Sequence, residues 1–292
     1  MDRKKRAKLM LCVSMIIFGT IGLFSRSIPV SSGELALYRA VLALVLLAGV
    51  FAVTRQKINF KEIKKELLLL LLSGMAMGIN WILLFEAYKH TTISVATLSY
   101  YFAPVLVTIA CPILFRERIT FKQILCFVMS TAGLVLIIGF DGENGDGNHL
   151  LGVLFGLGAA VFYATVVLLN KCIKKVEGLQ RTFLQFFAAI LILFPYVAFS
   201  GGMHLEVLDT NGWVCLLIVG LVHTGITYCM YFSAIKELKG QEVSILSYID
   251  PLVAVLASVV IAGEKLAVLQ LVGGILILGF TLWNEMGESF DK

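Results

Sequence analysis

The sequence predicts an all-α polytopic membrane protein: ten transmembrane helices arranged as two inverted five-helix repeats. Three observations lead there. The 292 residues are 59% hydrophobic and only 15% charged, where a soluble domain carries about a quarter charged residues, and mean hydropathy is +0.92. Apolar runs follow one another almost without pause. Lysine and arginine fall overwhelmingly on one side of those runs.

The runs are 9–27, 34–54, 66–88, 93–115, 119–140, 150–170, 180–200, 211–235, 241–262 and 266–284. Each is expected to cross ~30 Å of hydrocarbon as a helix rising ~1.5 Å per residue. A β-barrel would show alternating ten-residue strands, and these runs are continuous. The first follows the basic stretch "MDRKKRAKLM" and imitates a signal peptide. No small-x-small cleavage site follows, and nine more runs do, so it is expected to remain as the first helix.

With both termini cytoplasmic, twenty of the 24 Lys and Arg residues lie in cytoplasmic segments. Arg26, Lys89 and Lys265 lie outside, and Arg39 falls within the second run. That asymmetry is the positive-inside signature, and it requires an even number of spans. The expected location is the cytoplasmic membrane, multi-pass. The net charge of +5 is then a topology signal, and no nucleic-acid partner is expected. The six cysteines show no CxxC pair or metal-ligand spacing and read as small apolar fillers, so neither a metal nor another cofactor is expected.

The chain divides into an N-terminal repeat (1–140), an extracytoplasmic linker (141–149, "DGENGDGNH") and a C-terminal repeat (150–292). The linker's Asp141, Glu143 and Asp146 do not form a calcium loop, because its sixth position is Asp146 rather than Gly and its twelfth is Gly152 rather than Glu. A shift of 147 residues places Phe85, Ala87, Lys89, Tyr101, Pro104, Ala110, Glu117 and Gln123 on Phe232, Ala234, Lys236, Tyr248, Pro251, Ala257, Glu264 and Gln270. Five spans per repeat is an odd number, so the halves cross in opposite directions. Inverted repeats of this kind place a transport site near the midplane.

Pro104 and Pro251 fall at matching mid-span positions. Each removes a backbone donor and frees the carbonyl four residues earlier, on Tyr100 and Ser247. Paired interruptions in two halves point to a transport site with a kink that gates it; tolerated kinks are the alternative. Thr97, Tyr100, Tyr101, Pro104 and Thr108 share one helical face, and Ser244, Ser247, Tyr248 and Pro251 the matching one.

Two charges lie inside the apolar runs. Asp250 costs ~3 kcal/mol there and needs a cationic partner, a water-filled cavity or a proton, which makes it a candidate for proton coupling. Arg39 cannot shed its proton. Two arrangements satisfy both residues: a structural Arg39–Asp250 ion pair, or a bound zwitterion with its carboxylate on Arg39 and its ammonium on Asp250. In the eighth run Gly220, His223, Thr224, Thr227 and Tyr231 fall within about a third of the circumference at ~100° per residue. Asn80 and Trp81 match Thr227 and Tyr228 under the same shift. The expected substrate cavity is therefore lined by Arg39, Asn80, Trp81, Tyr101, His223, Thr227, Tyr248 and Asp250, although a lone buried His or Asn also serves as an interhelical hydrogen-bond group. Glu117 and Glu264 each precede a span and are expected to favour its N-terminus.

These residues bring a known family into view. The stretches "LLFEAYKHTTISVATLSYYFAPVLVTIACPILFRERITFKQILCFVMSTAGLVLIIG" and "MYFSAIKELKGQEVSILSYIDPLVAVLASVVIAGEKLAVLQLVGGILILG" each resemble the end of an EamA-type repeat of the drug/metabolite transporter superfamily. The shared pattern is Ala87-Tyr88-Lys89, Pro104 and Glu117, then Ala234-Ile235-Lys236, Pro251 and Glu264; "YRAVLALVLL" resembles the family's Arg-containing second helix. The resemblance implies a ten-helix transporter of small metabolites, often amino acids and often outward. Departures include Glu86, Phe18-Gly19 in place of a first-helix Trp, and Asp250 before the second Pro.

The expected function is a secondary transporter exporting small organic metabolites such as amino acids by alternating access, with protons as candidate coupling ions and a monomer or homodimer in the bilayer. Export of cationic drugs or other metabolites is the alternative; from a different class, so is a membrane-embedded enzyme or a non-transporting scaffold. No Walker A motif, H-E-x-x-H or paired catalytic carboxylates occur, so neither ATP coupling nor an enzyme is expected.

Overall fold

The computed structural model describes residues 3–54, 60–115, 119–138, 149–176, 178–238 and 240–287. Glu117 and linker residues 141–148 lie outside them. The described secondary structure is helical: α1 (Arg3–Gly19), α2 (Ile21–Arg26), α3 (Ser32–Thr54), α4 (Phe60–His90), α5 (Ile93–Tyr100), α6 (Ala103–Phe115), α7 (Phe121–Ile138), α8 (His149–Cys172), α9 (Gly178–Phe199), α10 (Thr210–Leu217), a π-helical segment (Ile218–Ile226), α11 (Thr227–Ile235), α12 (Gly240–Ser247), α13 (Ile249–Val260) and α14 (Val268–Gly287), with one 3₁₀ turn at Leu205–Val207.

Among the described residues each apolar run is largely helical, but the helices are not equally long. Seven segments are long and apolar enough to cross a membrane; Phe121–Ile137, Ile245–Val260 and Val268–Asn284 are shorter apolar helices. Local chain breaks bound two of these helices. The 241–262 run is interrupted at Tyr248, and α13 and α14 are separated by a turn with Gly263 at φ +68°, a conformation that disfavours any side chain.

The prolines interrupt their helices as expected, and the break itself lies three residues upstream. α5 ends at Tyr101 with φ −70°, ψ 5°; α12 ends at Tyr248 with φ −70°, ψ −8°. Pro104 and Pro251 then stand in the first turns of α6 and α13, where a missing N–H costs nothing. The two breaks fall at equivalent tyrosines, 147 residues apart, with closely similar backbone angles.

α4 packs chiefly on α8 and α9, α3 on α9 and the π segment, α1 on α11 and α13, and α5 on α8 and α13. α7 and α14 pair with each other, Gly133 and Gly273 letting the backbones approach. The outward faces of these helices expose large apolar side chains such as Phe121, Val128, Val135, Val268 and Ile275. In lipid that is the low-energy arrangement, since nothing is gained by hiding an aliphatic face from acyl chains.

Candidate functional site

Polar groups gather on the inside of this bundle, where they line a continuous cavity. One part, of about 440 Å³, lies among α1, α3, α4, α5, α8, α9, α11 and α13 and is lined by Arg39, Asn80, Trp81, Tyr228 and Asp250, among others. A second part, of about 490 Å³, runs from Tyr101 and Asp250 past Pro104, Thr108 and Tyr248 to Gln123, Asn284 and the exposed Lys171. Tyr100, Tyr101, Tyr163, Tyr231, Ser247 and Asp250 belong to both walls, so the breaks in the two proline helices stand at the junction. Lys4 and Lys8 reach Glu242 at 3.0 and 2.9 Å, placing the N-terminus at the end of the bundle to which the second part runs.

Asp250 is delivered by the first turn of α13. Its carbonyl oxygen would lie 2.5 Å from a Cβ at residue 19, so Gly19 is what allows α1 to approach this turn. The Tyr101 hydroxyl donates to Asp250 Oδ2 at 2.5 Å. Arg39, 3% exposed on α3, donates from Nε to Thr224 Oγ1 at 3.1 Å and lays its guanidinium over the Trp81 ring, 4.4 Å from its centroid, with Phe85 at 5.4 Å. The structural Arg39–Asp250 ion pair, one of the two expected arrangements, is therefore not formed. Among the described residues Arg39 meets no carboxylate, because its side chain turns onto the aromatic face of α4 while the Asp250 carboxylate turns to Tyr101.

Asn80 is held by a hydrogen bond from Nδ2 to Ala159 O at 2.7 Å. His223 and Thr227 lie outside the lining. His223 Nε2 is 3.0 Å from Thr20 Oγ1, at the break between α1 and α2, and its Nδ1 is 3.3 Å from Ile218 O; Thr227 Oγ1 donates to Val222 O at 2.7 Å. Residues 218–226 wind as a π-helix, with fewer degrees per residue than the ~100° on which the polar stripe was drawn. Of that stripe Tyr231 lines the cavity, together with its neighbour Tyr228. Tyr163, Asn170 and Gln185 also line it and were not singled out in the sequence, although an Asn and a Gln within apolar runs are a usable signal. Gln185 Nε2 donates to Ser73 Oγ at 2.6 Å and Asn170 Oδ1 at 2.7 Å.

Glu264 does not serve the helix that follows it. Both its oxygens accept from the Ile93 backbone N, at 3.0 and 2.9 Å, so it caps α5 across the bundle, while Gln270 Oε1 accepts from Ala267 N beside α14.

The model of the EamA-like transporter family matches residues 5–139 and again residues 150–284. The chain belongs to the EamA-like transporter family. Among similar proteins, the uncharacterized transporter YxxF of Bacillus subtilis is 29% identical over 291 residues, covering 98% of this chain and 93% of that one. An uncharacterized transporter of Archaeoglobus fulgidus is 30% identical over 202 residues, 68% of this chain and 70% of that one. A Salmonella typhimurium protein named a probable amino-acid metabolite efflux pump is 25% identical over 182 residues, 59% of this chain and 60% of that one. A solved crystal structure has the same fold, with TM-score 0.66, 15% identity and coverage of 98% of this chain and 99% of that one. This is a multi-pass membrane transporter of the EamA type, and small molecules and the lipid bilayer are the partners that the family implies.

Proposed function

We propose that the chain is a secondary transporter that exports small zwitterionic metabolites such as amino acids across the cytoplasmic membrane by alternating access. The observation that carries this reading is the buried Arg39 guanidinium, without a carboxylate among the described residues, on the wall of the same cavity as Asp250. A buried cation with no anion is costly, and a substrate carboxylate removes that cost. Asp250 stands opposite as the partner of an ammonium group or a proton. The aromatic rings between them suit the apolar part of such a solute.

Alternating access in this reading exchanges the roles of two inverted halves, 1–140 and 150–292 about the linker 141–149, with both termini cytoplasmic. The two matches to the family model and the equivalent breaks at Tyr101 and Tyr248 support that symmetry. A similar protein named as an amino-acid metabolite efflux pump supports both the substrate class and the outward direction.

The test is counterflow in proteoliposomes across amino acids, polyamines, nucleosides and cationic drugs, run with the parent, Arg39→Gln and Asp250→Asn. Amino acids are expected to exchange, and each substitution to remove most of that exchange in folded protein. Exchange of cationic drugs that survives Arg39→Gln but not Asp250→Asn would favour a cation exporter, a reading to which the tyrosines around Asp250 also lend themselves. Amino-acid exchange that survives both substitutions would overturn the zwitterion site.

A further inference from the structure

At the end of the bundle opposite the termini, the two half-helices α5 and α13 pack against each other. They are joined at three levels. Innermost, Tyr101 just beyond α5 donates to Asp250 on α13 at 2.5 Å. Midway, Ser94 Oγ donates to Ser258 Oγ at 2.8 Å, both side chains fully buried. Outermost, Glu264 beyond α13 accepts the Ile93 N–H at the start of α5, and also the Ser258 hydroxyl. Arg26, at the end of α2, completes this level with an ion pair to Glu264 and hydrogen bonds to the carbonyls of Tyr88, at 2.8 Å, and Thr91 at the end of α4.

We infer that this ladder is the gate of the transporter on the side opposite its termini, with Glu264 and Arg26 as its latch and the Tyr101–Asp250 bond as the link between site and gate. The inference rests on the transport reading above. Three features distinguish a latch from a static cap. Each half-helix ends on its inner side at a backbone break, Tyr101 or Tyr248, so each swings as a short rigid piece about a ready hinge. Glu264 hangs from a turn with Gly263 at φ +68° and is partly solvated, its side chain 10% exposed, so water can take over its bonds as they part. The innermost level uses Asp250, a cavity carboxylate: an ammonium group or proton arriving there competes with the Tyr101 hydroxyl and loosens the ladder from its inner end. Occupancy of the site and opening on this side are thereby coupled through one acceptor.

The experiment replaces the six native cysteines and introduces Leu84→Cys, on the α4 wall of the cavity behind the gate. A membrane-impermeant maleimide is confined to the side opposite the termini. Glu264→Gln is expected to raise the labelling rate about tenfold or more over the same protein with Glu264 intact. Separately, Ser94→Cys with Ser258→Cys is oxidised with copper phenanthroline, then reduced with dithiothreitol. Oxidised protein is expected to lose counterflow and resist labelling at residue 84, and reduction to restore both. Because both states are one folded protein, the second arm stands if Glu264→Gln misfolds. Equal labelling with and without Glu264, or undiminished counterflow after complete cross-linking, would overturn the gate. Labelling that follows the latch in a protein that exchanges no solute would instead overturn the transport reading and leave the gate standing.

Discussion

Arg39 lies over Trp81, its guanidinium carbon 4.4 Å from the ring centroid, on the wall of the cavity that also receives Asp250. A planar guanidinium stacked on an indole while donating to Thr224 is fixed in place before any ligand arrives, and that preorganisation is what a carboxylate anchor needs. A charge-assisted hydrogen bond contributes about 1.5–3 kcal/mol, so Arg39→Gln is expected to raise KM for a carboxylate-bearing solute roughly 10- to 100-fold. Arg39→Lys keeps the charge but loses the stacked fork, and should recover only part of that loss. The concentration dependence of counterflow measures both.

Tyr101→Phe removes the hydroxyl that holds Asp250 without changing the shape of the cavity wall. The carboxylate stays, so binding is expected to survive and turnover to change, separating it from Asp250→Asn, which removes the charge itself. A several-fold change in kcat with KM within about twofold is the expected result, that pattern being the mark of an interaction outside uniform substrate binding. Equal loss of binding in the two variants would mean that Tyr101 itself contacts the solute.

Gly19 and Gly49 make a matched pair for stability. A Cβ at residue 19 would stand 2.5 Å from Asp250 O and 2.8 Å from Val253 Cβ, whereas at residue 49 it meets nothing within 4 Å. Gly19→Ala should cost about 1–3 kcal/mol through displaced backbone, and Gly49→Ala should be neutral or stabilising by up to about 1 kcal/mol. Thermal unfolding of the purified protein in detergent should order them Gly49→Ala, parent, Gly19→Ala.

His223 is a packing residue in this structure, bonded to Thr20 and placed 5.1 Å from the Phe24 ring. His223→Ala should therefore lower thermal stability by about 2–4 kcal/mol, through a cavity and a lost hydrogen bond. The folded fraction should keep the parent's KM within about twofold. A selective rise in KM would return His223 to the binding site.

Much of this protein is legible residue by residue. The helical class follows from apolar runs in which every backbone group must be satisfied internally. The breaks follow from Pro104 and Pro251, which cannot donate, and the structure moves them only to the preceding tyrosines. Arg39, Asn80, Trp81, Tyr101, Tyr248 and Asp250 all reach the cavity, and they were found because polar side chains are expensive in lipid. His223 and Thr227 bond instead to Thr20 and to the backbone of a π-helical stretch that no local pattern announced. Tyr163 was passed over because, taken singly, a tyrosine looks like an ordinary residue of an apolar span, whereas Gln185 carried a usable signal.

The sequence by itself determined that this chain is a bundle of membrane helices, where two of them break, and which of its charges are out of place in lipid, because these depend on local chemistry: hydropathy, the missing N–H of proline, the desolvation of an ion. Only the tertiary structure decided the partnerships. Tyr101 rather than Arg39 meets Asp250, Trp81 and Thr224 hold Arg39, and Glu264 caps α5 rather than α14. These depend on how far each helix is rotated and how closely its neighbour approaches, which close contacts such as Gly19 against α13 set among segments more than two hundred residues apart.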